Sequence, residues 1–409
     1  MTLTRRLMMA GFVGACAPIR SRFTAPAATS ASASRSPAAN RAVPRPGNAD
    51  VAAPERASVE EPGFDAWIRA FRGRASAKGI SGPVLDRALR GASYLPHVVA
   101  SANKQPEFTR SLEDNIALAA SDERIRVGKK KLAQHRTLFT KIERKYRVER
   151  EVVCAIWGHE STFGARRGKI EVVSALASLS YGGVRSDFFE SQLVAALKIL
   201  QAGDVSVENL RGSWAGAMGH TQFIPTSYLA HAVDFDGDGR RDIWSDDPGD
   251  ALASAAAYLK NSGWRFGEPW GVEVDPAGRQ MNGRPAPNLP GSQLLQPLGD
   301  PGPRFLVFNN YKVLRRYNNA MAYAIGVGHL ADRLAGGPPF KGPFPRDGEG
   351  LTLADRKEIQ RRLERLGFDL GTIDGVIGDK TIAAIQTFQR DRGLRVDGVA
   401  NKALLVALR

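Results

Sequence analysis

The sequence predicts a mainly α-helical protein with two folded domains and a disordered N-terminal segment. Apolar residues recur with helical spacing in seven stretches, whereas the alternation typical of strands is sparse. The seven stretches are 64–71, 82–89, 126–146, 151–160, 188–202, 251–261 and 320–334. A segment rich in Gly and Pro at 336–350 is predicted to be a linker. Because 409 residues exceed what one hydrophobic core usually organises, at least two domains are expected, at 59–335 and 351–409.

The composition is that of a globular protein with a strongly basic charge. Hydrophobic residues make up 43% of the chain and charged residues 24%, and the formal net charge is +15. Such a charge favours a polyanionic neighbour, which can be nucleic acid, anionic lipid or an acidic cell wall. The sequence lacks zinc-ligand spacings, RNA-recognition strings and aromatic-basic platforms, which argues against nucleic acid. It also lacks an apolar run of the roughly 20 residues that a membrane-spanning helix needs.

The N-terminus has the features of an export signal. Arg5 and Arg6 precede an apolar stretch at 7–15, which is too short to span a bilayer, so residues 1–17 are predicted to be a signal peptide. The string Val-Gly-Ala-Cys that ends at Cys16 resembles a bacterial lipoprotein cleavage site, at which the cysteine would receive a lipid. The alternative is an ordinary signal peptide in which this cysteine has no role.

The residues that follow the signal are predicted to be a flexible tether. Residues 18–58 are dominated by Ala, Ser, Pro and Arg and cannot bury enough apolar surface to fold. Loss or lipidation of Cys16 leaves Cys154 alone, so no intramolecular disulfide is expected in the mature chain. Cys154 lies in an apolar helical stretch and is interpreted as a core residue rather than a nucleophile.

An apolar helical stretch ends with a single carboxylate, Glu160. Ile156, Trp157 and Phe163 around it would partly desolvate the carboxyl group, which raises its pKa and keeps it protonated near neutral pH. A proton donor of this kind is what cleavage of a glycosidic bond requires. The alternative is an ordinary capping or salt-bridged glutamate. A zinc-protease helix is excluded, because that motif needs a second histidine where Phe163 stands.

Two further segments carry groups that suit a sugar ligand. Residues 212–225 are rich in small residues that leave room for a sugar ring, and Ser213 and Gln222 supply hydrogen-bonding groups. Residues 316–324 add the amide of Asn318 and two phenols. The candidate aromatic walls of the subsites are Tyr258, Tyr317 and Tyr323. The alternative for both segments is tight packing, because each tyrosine alone is more often a core residue.

These segments resemble the lytic murein transglycosylase B family. The resemblance rests on Trp-Gly-x-Glu-Ser-x-Phe-Gly at 157–164 and Gly-Ser-x-Ala-Gly-Ala-Met-Gly-x-x-Gln-Phe-x-Pro at 212–225. It covers about residues 64–334, including Pro-Glu-Phe at 106–108 and Tyr-Gly-Gly at 181–183. The resemblance implies a lysozyme-like helical domain with Glu160 as its catalytic residue. It also places Ser213, Gln222, Asn318 and the three tyrosines in the substrate cleft, whereas His220-Thr221 lies where the family is variable.

The resemblance also implies the reaction. Most glycoside hydrolases use two carboxylates, but the strings above offer one. Protonated Glu160 would donate to the oxygen between MurNAc and GlcNAc in peptidoglycan, and the 6-hydroxyl of MurNAc would attack C1 to form a 1,6-anhydro product. The acetamido group of the substrate would stabilise the cationic centre, with Ser213 and Asn318 orienting it. No cofactor is required for this chemistry.

Residues 234–242 have the alternating acidic residues and central Gly of an EF-hand calcium loop. Position 12 is Ser245 instead of the usual Glu, and the family resemblance suggests closure by Asp250 or Asp246. The candidate ligands are Asp234, Asp236, Asp238, Arg240 and Asp250. Calcium would stabilise the loop without taking part in the chemistry. The alternative is a turn whose Asp side chains bind its own backbone.

The C-terminal unit contains two related Asp-Gly loops, at 373–378 and 396–401, which predict an internal duplication. The unit resembles the peptidoglycan-binding domain type 1 over nearly its whole length, and three helices are expected. Its second loop departs from the family pattern, because Ala400 and Ala403 replace the usual Gly and Thr, which leaves the cap of the following helix in question. The alternative is a small packing module without a ligand.

Together these features predict an exported enzyme that acts on peptidoglycan glycan strands in the periplasm. A lipid on Cys16 would attach it to the outer membrane, and the basic charge would attract it to the anionic envelope. The second hypothesis is a non-enzymatic wall-binding scaffold held by the C-terminal unit. The presence of Glu160 among its matching neighbours argues against that scaffold.

Overall fold

The computed structural model describes residues 60–103 and 110–409. Within them the chain forms sixteen α-helices and five short strands, which confirms the prediction of a mainly α-helical protein. The predicted signal peptide with Cys16, the predicted tether and the Pro-Glu-Phe string at 106–108 lie outside the described residues. In the described part of the chain, no helix combines the length and the apolar character that a membrane span requires.

The larger domain is built from thirteen of these helices. They are α1 (Pro62–Ala77), α2 (Gly82–Leu89), α3 (Pro96–Asn103), α4 (Leu112–Ala119), α5 (Asp122–Gln134), α6 (Arg136–Tyr146), α7 (Arg150–Ser161), α8 (Val172–Tyr181), α9 (Ser186–Ala202), α10 (Pro225–His231), α11 (Gly249–Asn261), α12 (Asn309–Tyr317) and α13 (Met321–Leu334). Helix α7 packs against α5, α6, α11 and α13, so it is the central helix of this domain. Its residues 152–158 are all buried.

The strands form two small antiparallel sheets. Strands β1 (Ile170–Glu171) and β2 (Arg211–Gly212) pair with each other. Strands β3 (Gly271–Val274), β4 (Gln293–Leu295) and β5 (Arg304–Val307) form a sheet in the order β3-β5-β4. The sequence did not predict this second sheet, because strands of three or four residues are too short for alternation to be recognised.

The helical predictions differ from the structure in two ways. The predicted helix at 126–146 is two helices, α5 and α6, which meet at His135, where the backbone has φ −105° and ψ 28°. In addition, helices α3, α4, α8, α10 and α12 were not predicted. Residues 172–180 of α8 are all buried, so this helix lacks the polar face that gives an amphipathic pattern.

The C-terminal domain contains α14 (Leu353–Arg365), α15 (Asp379–Asp391) and α16 (Lys402–Ala407), as the sequence predicted. Its buried core consists of Leu351, Ile359, Leu363, Leu370, Ala384, Ile385, Phe388, Ala400 and Leu404. The questioned cap of α16 is supplied by Asn401, whose side chain accepts a hydrogen bond from the Leu404 N–H at 2.8 Å.

The two Asp-Gly loops of this domain are held by equivalent hydrogen bonds. In the first loop, Oε1 of the buried Gln360 accepts from the Gly375 N–H at 2.6 Å, and Nε2 donates to Asp374 Oδ1 at 3.3 Å. In the second, Oε1 of the buried Gln389 accepts from the Gly398 N–H at 2.9 Å, and Nε2 donates to Asp397 at 2.8 Å. The shared pattern supports the predicted internal duplication.

Candidate active site

The backbone turns sharply directly after Glu160. Helix α7 ends at Ser161, and the next three residues, Thr162, Phe163 and Gly164, have φ of 52°, 56° and 87°. Left-handed backbone is unfavourable for residues other than glycine, so packing must hold this turn in place. The Phe163 ring folds back onto α7, where a Cβ on Gly158 would lie 2.5 Å from Phe163 Cζ. The glycine of the helix and the strained turn therefore belong to one packing unit.

Glu160 is buried, with 5% of its surface exposed, as the apolar residues around it predicted. The Tyr323 hydroxyl of α13 donates a hydrogen bond to Glu160 Oε1 at 2.7 Å. The imidazole of His159 packs edge-on against the Tyr323 ring at 4.7 Å. Burial, together with the Arg124 charge, lowers the pKa of His159 to about 3, so this histidine is neutral beside the site.

A buried histidine joins helix α7 to the segment that follows β2. The Trp157 Nε1–H donates to Nδ1 of His220 at 3.0 Å, and Nε2 of His220 lies 2.7 Å from the Ser245 carbonyl oxygen. Because indole only donates and a carbonyl only accepts, Nδ1 must be the acceptor and Nε2 must carry the proton. Burial lowers the pKa of His220, in keeping with a neutral ring. This connecting role of His220 was not predicted from the sequence.

The backbone of His220 also fixes the turn after Glu160. The Ser161 hydroxyl donates to the His220 carbonyl at 2.6 Å and accepts from the Gly164 N–H at 2.9 Å. A Cβ on Gly164 would lie 2.5 Å from His220 Nδ1, so both the positive φ and the close approach require glycine. The segment 212–225 and the end of α7 therefore form one rigid unit.

Ser213 and Gln222 lie in the loop packed against this turn. The Gln222 amide donates to the Gly219 carbonyl at 2.8 Å and to the Arg167 carbonyl at 3.2 Å, and its backbone has a φ of 52°. The Ser213 hydroxyl accepts from the Ala217 N–H at 3.1 Å. A Cβ on Gly168 would lie 2.5 Å from the Ser213 nitrogen, so the two loops are in backbone contact.

The three predicted tyrosines come together in one aromatic cluster with Phe223. The Tyr258 and Tyr317 rings are 4.8 Å apart, Phe223 lies 6.0 Å from each, and Tyr323 is parallel to Tyr317 at 6.3 Å. The Tyr317 hydroxyl donates to the Thr221 carbonyl at 2.7 Å. All three tyrosines are buried, which agrees with the packing alternative. The cluster, which we call the tyrosine wall, extends from Tyr323, the partner of Glu160, to the segment 212–225.

Asn318 lies between Tyr317 and α13. Its side-chain oxygen accepts a hydrogen bond from the Ala320 N–H at 3.0 Å, just before α13 begins, and the residue is 3% exposed. Asn318 therefore lies in the short connection between α12, which ends with Tyr317, and α13, which carries Tyr323. The structure thus joins Glu160 to Tyr323 directly, and the remaining predicted substrate residues lie on the segments packed around this pair.

Three of the predicted calcium ligands come together. Carboxylate oxygens of Asp234, Asp236 and Asp250 all lie within 4.8 Å of one another. Burial and the charges of Asp236 and Asp234 raise the pKa of Asp250 to about 6, although backbone N–H groups of Phe235 and Asp242 oppose the shift. Mutual repulsion of this kind is what a bound cation relieves. The donor set of clustered carboxylates therefore fits Ca²⁺.

The other predicted ligands take different partners. Asp238 accepts a hydrogen bond from the Arg240 N–H at 2.8 Å, which closes a local turn. Asp246, the alternative closing residue, forms an ion pair with Arg167 at 2.7 Å. Asp234 also binds the backbone of its own loop through Gly237 and Gly239, so the structure contains features of both a calcium loop and a turn held by Asp side chains.

Comparisons with known proteins match both domains. The model of the transglycosylase SLT domain family matches residues 63–332, and that of the peptidoglycan binding domain family matches residues 352–408. Membrane-bound lytic murein transglycosylase B of Escherichia coli (strain K12) is 34% identical over 219 residues, which are 46% of this chain. The alignment spans 58% of that relative's length. Spore cortex-lytic enzyme of Oceanobacillus iheyensis is 43% identical over 54 residues, which are 13% of this chain and 20% of that protein.

Solved structures give the same correspondence. SltB3 from Pseudomonas aeruginosa, in complex with NAG-anhNAM-pentapeptide, is 44% identical with a TM-score of 0.66, over 85% of this chain and 99% of that one. SltB1 from Pseudomonas aeruginosa is 29% identical with a TM-score of 0.59, over 67% of this chain and 98% of that one. Slt35 of Escherichia coli, in complex with calcium, is 27% identical with a TM-score of 0.54, over 68% of this chain and 93% of that one.

Proposed function

The chain belongs to the transglycosylase SLT family and carries a peptidoglycan binding domain after it, and from this premise we propose that it is a lytic transglycosylase of peptidoglycan. The proposed reaction breaks the β-1,4 bond between MurNAc and GlcNAc and leaves 1,6-anhydroMurNAc ends. The observation that carries the proposal is the buried carboxyl group of Glu160 with the Tyr323 hydroxyl 2.7 Å from it. The similarity to SltB3, whose structure was solved with an anhydro sugar, supports the nature of the product.

The proposed reaction balances with one carboxyl group. Protonated Glu160 donates to the glycosidic oxygen, the bond from C1 of MurNAc to that oxygen breaks, and GlcNAc leaves with a new hydroxyl group. The 6-hydroxyl oxygen of MurNAc then bonds to C1 and returns its proton to the carboxylate of Glu160. The Tyr323 hydroxyl donates to the carboxylate formed between the two steps. Ser213 and Asn318 are the proposed groups that orient the acetamido group.

Substitution of the acid tests the proposal. Glu160→Gln keeps the size of the side chain but removes the transferable proton, so turnover of purified sacculi should fall to background. Binding to sacculi should persist, because the C-terminal domain is unchanged. Mass spectrometry of the products from the unaltered enzyme should show muropeptides lighter by one water than those released by a lysozyme. Substantial turnover by the Glu160→Gln variant would show that another group supplies the proton.

The scaffold hypothesis has less support than the enzyme. The family match covers residues 63–332, well beyond the wall-binding domain, and Glu160 lies inside it. A scaffold would bind sacculi equally well before and after the Glu160→Gln substitution and would release no muropeptides in either case. Comparison of the unaltered protein with the Glu160→Gln variant therefore distinguishes the enzyme from the scaffold.

We propose in addition that Asp234, Asp236 and Asp250 hold a calcium ion that stabilises their loop. The proximity of the three carboxylates and the raised pKa of Asp250 support this proposal, as does the similarity to Slt35, whose structure was solved with calcium. Calcium at a hundred times its dissociation constant should stabilise the protein by about 2.7 kcal/mol. Asp236→Asn should abolish the Ca²⁺-dependent rise in Tm, whereas Asp238→Asn, outside the cluster, should retain it. If the unaltered protein and both variants have the same Tm in chelator as in Ca²⁺, the site is excluded.

We propose the periplasm as the location, with a lipid on Cys16 as the attachment to the outer membrane. The signal-like N-terminus and the name of the membrane-bound Escherichia coli relative support this proposal. Fractionation of cells that express the full chain or Cys16→Ser tests the attachment. The cysteine variant should move from the membrane fraction to the soluble periplasmic fraction, and an unchanged distribution would exclude lipid on this cysteine.

A further inference from the structure

A cleft of about 1130 Å³ lies beside the β1-β2 pair, and its lining in the described residues includes neither Glu160 nor the tyrosine wall. Its walls come from α2, the turn after α9, strands β1 and β2, and the loop at 240–245. Five arginines line it, and we call it the arginine cleft. They are Arg87, Arg90, Arg167, Arg211 and Arg240.

Most of these arginines have no carboxylate partner within the described part of the chain. Among residues 60–103 and 110–409, the side chains of Arg87, Arg90 and Arg240 form no ion pair, and all three are exposed. Arg211 donates to the backbone carbonyl groups of Glu208 at 2.9 Å and Lys169 at 3.5 Å. Of the five, Arg167 binds a carboxylate, that of Asp246. The cleft therefore presents guanidinium donors that the described protein does not use.

The acidic residues of the cleft are, in contrast, engaged by the protein itself. Asp204 forms an ion pair with Arg241 at 2.6 Å, which lies outside the lining. Asp242 accepts from the backbone N–H groups of Trp244 and Ser245 at 2.8 and 3.1 Å. Glu171 accepts from the Ser174 hydroxyl at 2.7 Å, and the backbone lowers the pKa of Glu208. These contacts engage both oxygens of Asp204 and one oxygen each of Asp242 and Glu171, whereas, among the described residues, Arg87, Arg90 and Arg240 keep their side-chain donors free for an entering anion.

The cleft adjoins the candidate active site across a single loop. Gly168 lines the cleft and also packs against the Ser213 nitrogen. Arg167 also lines the cleft; its guanidinium group donates to the Trp244 and Ser245 carbonyl groups, and its carbonyl oxygen accepts from Gln222. The half-buried Trp244 ring adds an apolar wall. The cleft and the segment that carries Ser213 are therefore direct neighbours, separated by the backbone of this loop.

We propose that the arginine cleft binds the carboxylate groups of the peptides attached to the glycan strand, an inference that rests on the proposed function. Guanidinium groups bind planar carboxylates through paired hydrogen bonds, and several such groups in one cavity suit a peptide with more than one carboxylate. The volume of the cleft exceeds that of most small-molecule sites, which fits a peptide rather than a single ion. The cleft would thus favour strands whose peptides are intact.

The test compares strands with and without peptides. Binding is measured in the Glu160→Gln background, so that no turnover occurs, with glycan strands that carry peptides and with the same strands after an amidase has removed them. The double variant Arg87→Ala/Arg90→Ala should weaken binding to the peptide-bearing strands about tenfold and to the bare strands less than twofold. Arg69→Ala, which removes an exposed arginine of α1 outside the cleft, is the matched control and should bind both strands normally.

Two results would overturn the proposal. One is an equal effect of the double variant on both kinds of strand, which would indicate general attraction to the glycan. The other is binding of inorganic phosphate that depends on these arginines while removal of the peptides changes nothing, which would indicate a phosphate site. Because the assay measures binding, it does not depend on catalysis by Glu160. Failure of the enzyme to release anhydro muropeptides would contradict the proposed function alone.

Discussion

The proposed reaction requires a carboxyl group of Glu160 that is neutral until a sugar arrives and is stabilised once it has given up its proton. Its burial favours the first requirement, because a charge is costly away from water. The Tyr323 hydroxyl meets the second, because it can donate to the carboxylate without taking a charge itself. The neutral His159, packed on the Tyr323 ring, adds no competing positive charge.

Removal of the Tyr323 hydroxyl should therefore reduce the rate of the chemical step. Tyr323→Phe keeps the aromatic wall but leaves Glu160 Oε1 without this donor, and a hydrogen bond to a charged group contributes about 1.5–3 kcal/mol. The expected result is a fall in kcat of about tenfold to a hundredfold with little change in KM, measured as release of soluble muropeptides from sacculi. Tyr311→Phe, whose hydroxyl contacts Arg315 on α12, is the matched control and should retain full activity. A rise in KM at constant kcat would instead assign Tyr323 to substrate binding.

For single residues, the sequence predicted roles that depend on neighbours in the chain and missed roles that depend on contacts between residues far apart in the chain. Glu160 could be identified because its apolar neighbours lie within four positions of it in the chain. The role of His220 could not, because its partner Trp157 lies 63 positions away and nothing in either local string indicates the hydrogen bond. The requirement for glycine at position 164 depends on the same distant contact.

Among the elements, α13 connects the active site to the start of the linker. It carries Tyr323 in its first turn and His329 farther along, where the imidazole stacks on Phe340 of the linker at 3.7 Å. Burial, with the nearby Arg333 charge, lowers the pKa of His329 to about 3. The folded protein therefore keeps this ring neutral at pH values at which the unfolded chain would protonate it.

This difference predicts a stability that depends on pH. Because the pKa of His329 is lowered by folding, its contribution is complete above about pH 6.5 and decreases as the pH falls towards 3. Between pH 7 and pH 4 the loss from this residue should be about 3 kcal/mol of unfolding free energy. His329→Phe keeps a ring on Phe340 but cannot be protonated, so its stability should fall less with acid. Urea unfolding of both proteins from pH 8 to pH 4 measures the difference, and parallel curves would show that His329 does not titrate in this range.

The elements that the sequence predicted well are those with one apolar face and a clear end. Helix α2 is predicted at 82–89 and observed at Gly82–Leu89, and the C-terminal duplication follows from its repeated Asp-Gly loops. The equivalence of Gln360 and Gln389 emerged only from the structure, because each glutamine contacts a loop 8 to 15 positions further on. Helix α8 and the small sheet gave no periodic pattern to recognise.

At the scale of the molecule, the segment at 336–350 is held against the larger domain. Glu273 of β3 accepts hydrogen bonds from the backbone N–H groups of Lys341 at 2.8 Å and Gly342 at 2.6 Å. Burial raises the pKa of Glu273 despite these bonds. Composition predicted a linker here, but composition does not distinguish a loose linker from one held by specific contacts, because those contacts come from distant residues.

A buried ion cluster holds the C-terminal domain to the larger one. The Arg356 side chain, 6% exposed, binds Glu113 at 2.9 Å and Asp114 at 2.8 Å on α4, and Asp347 of the linker at 3.0 Å. It also donates to the Gly375 carbonyl at 2.8 Å, in the first Asp-Gly loop. A single side chain therefore connects α4, the linker and the loop, which fixes the wall-binding domain relative to the catalytic one.

Loss of the two acids on α4 should release the C-terminal domain without unfolding it. Glu113→Gln/Asp114→Asn removes both charges on the catalytic side but leaves Arg356 bonded to Asp347 and Gly375. A buried charge left without any partner costs about 3–5 kcal/mol; with Asp347 still in place the cost is smaller, and detachment of the domain avoids it by returning the guanidinium group to water. Small-angle X-ray scattering should show a larger radius of gyration, and a protease should cut within 336–350 more readily.

Glu358→Gln, which removes an acid that pairs with Arg361 and Arg362 on the surface of α14, should change neither measurement. Unchanged scattering and protection in the double variant would mean that apolar packing, rather than this ion cluster, holds the two domains together.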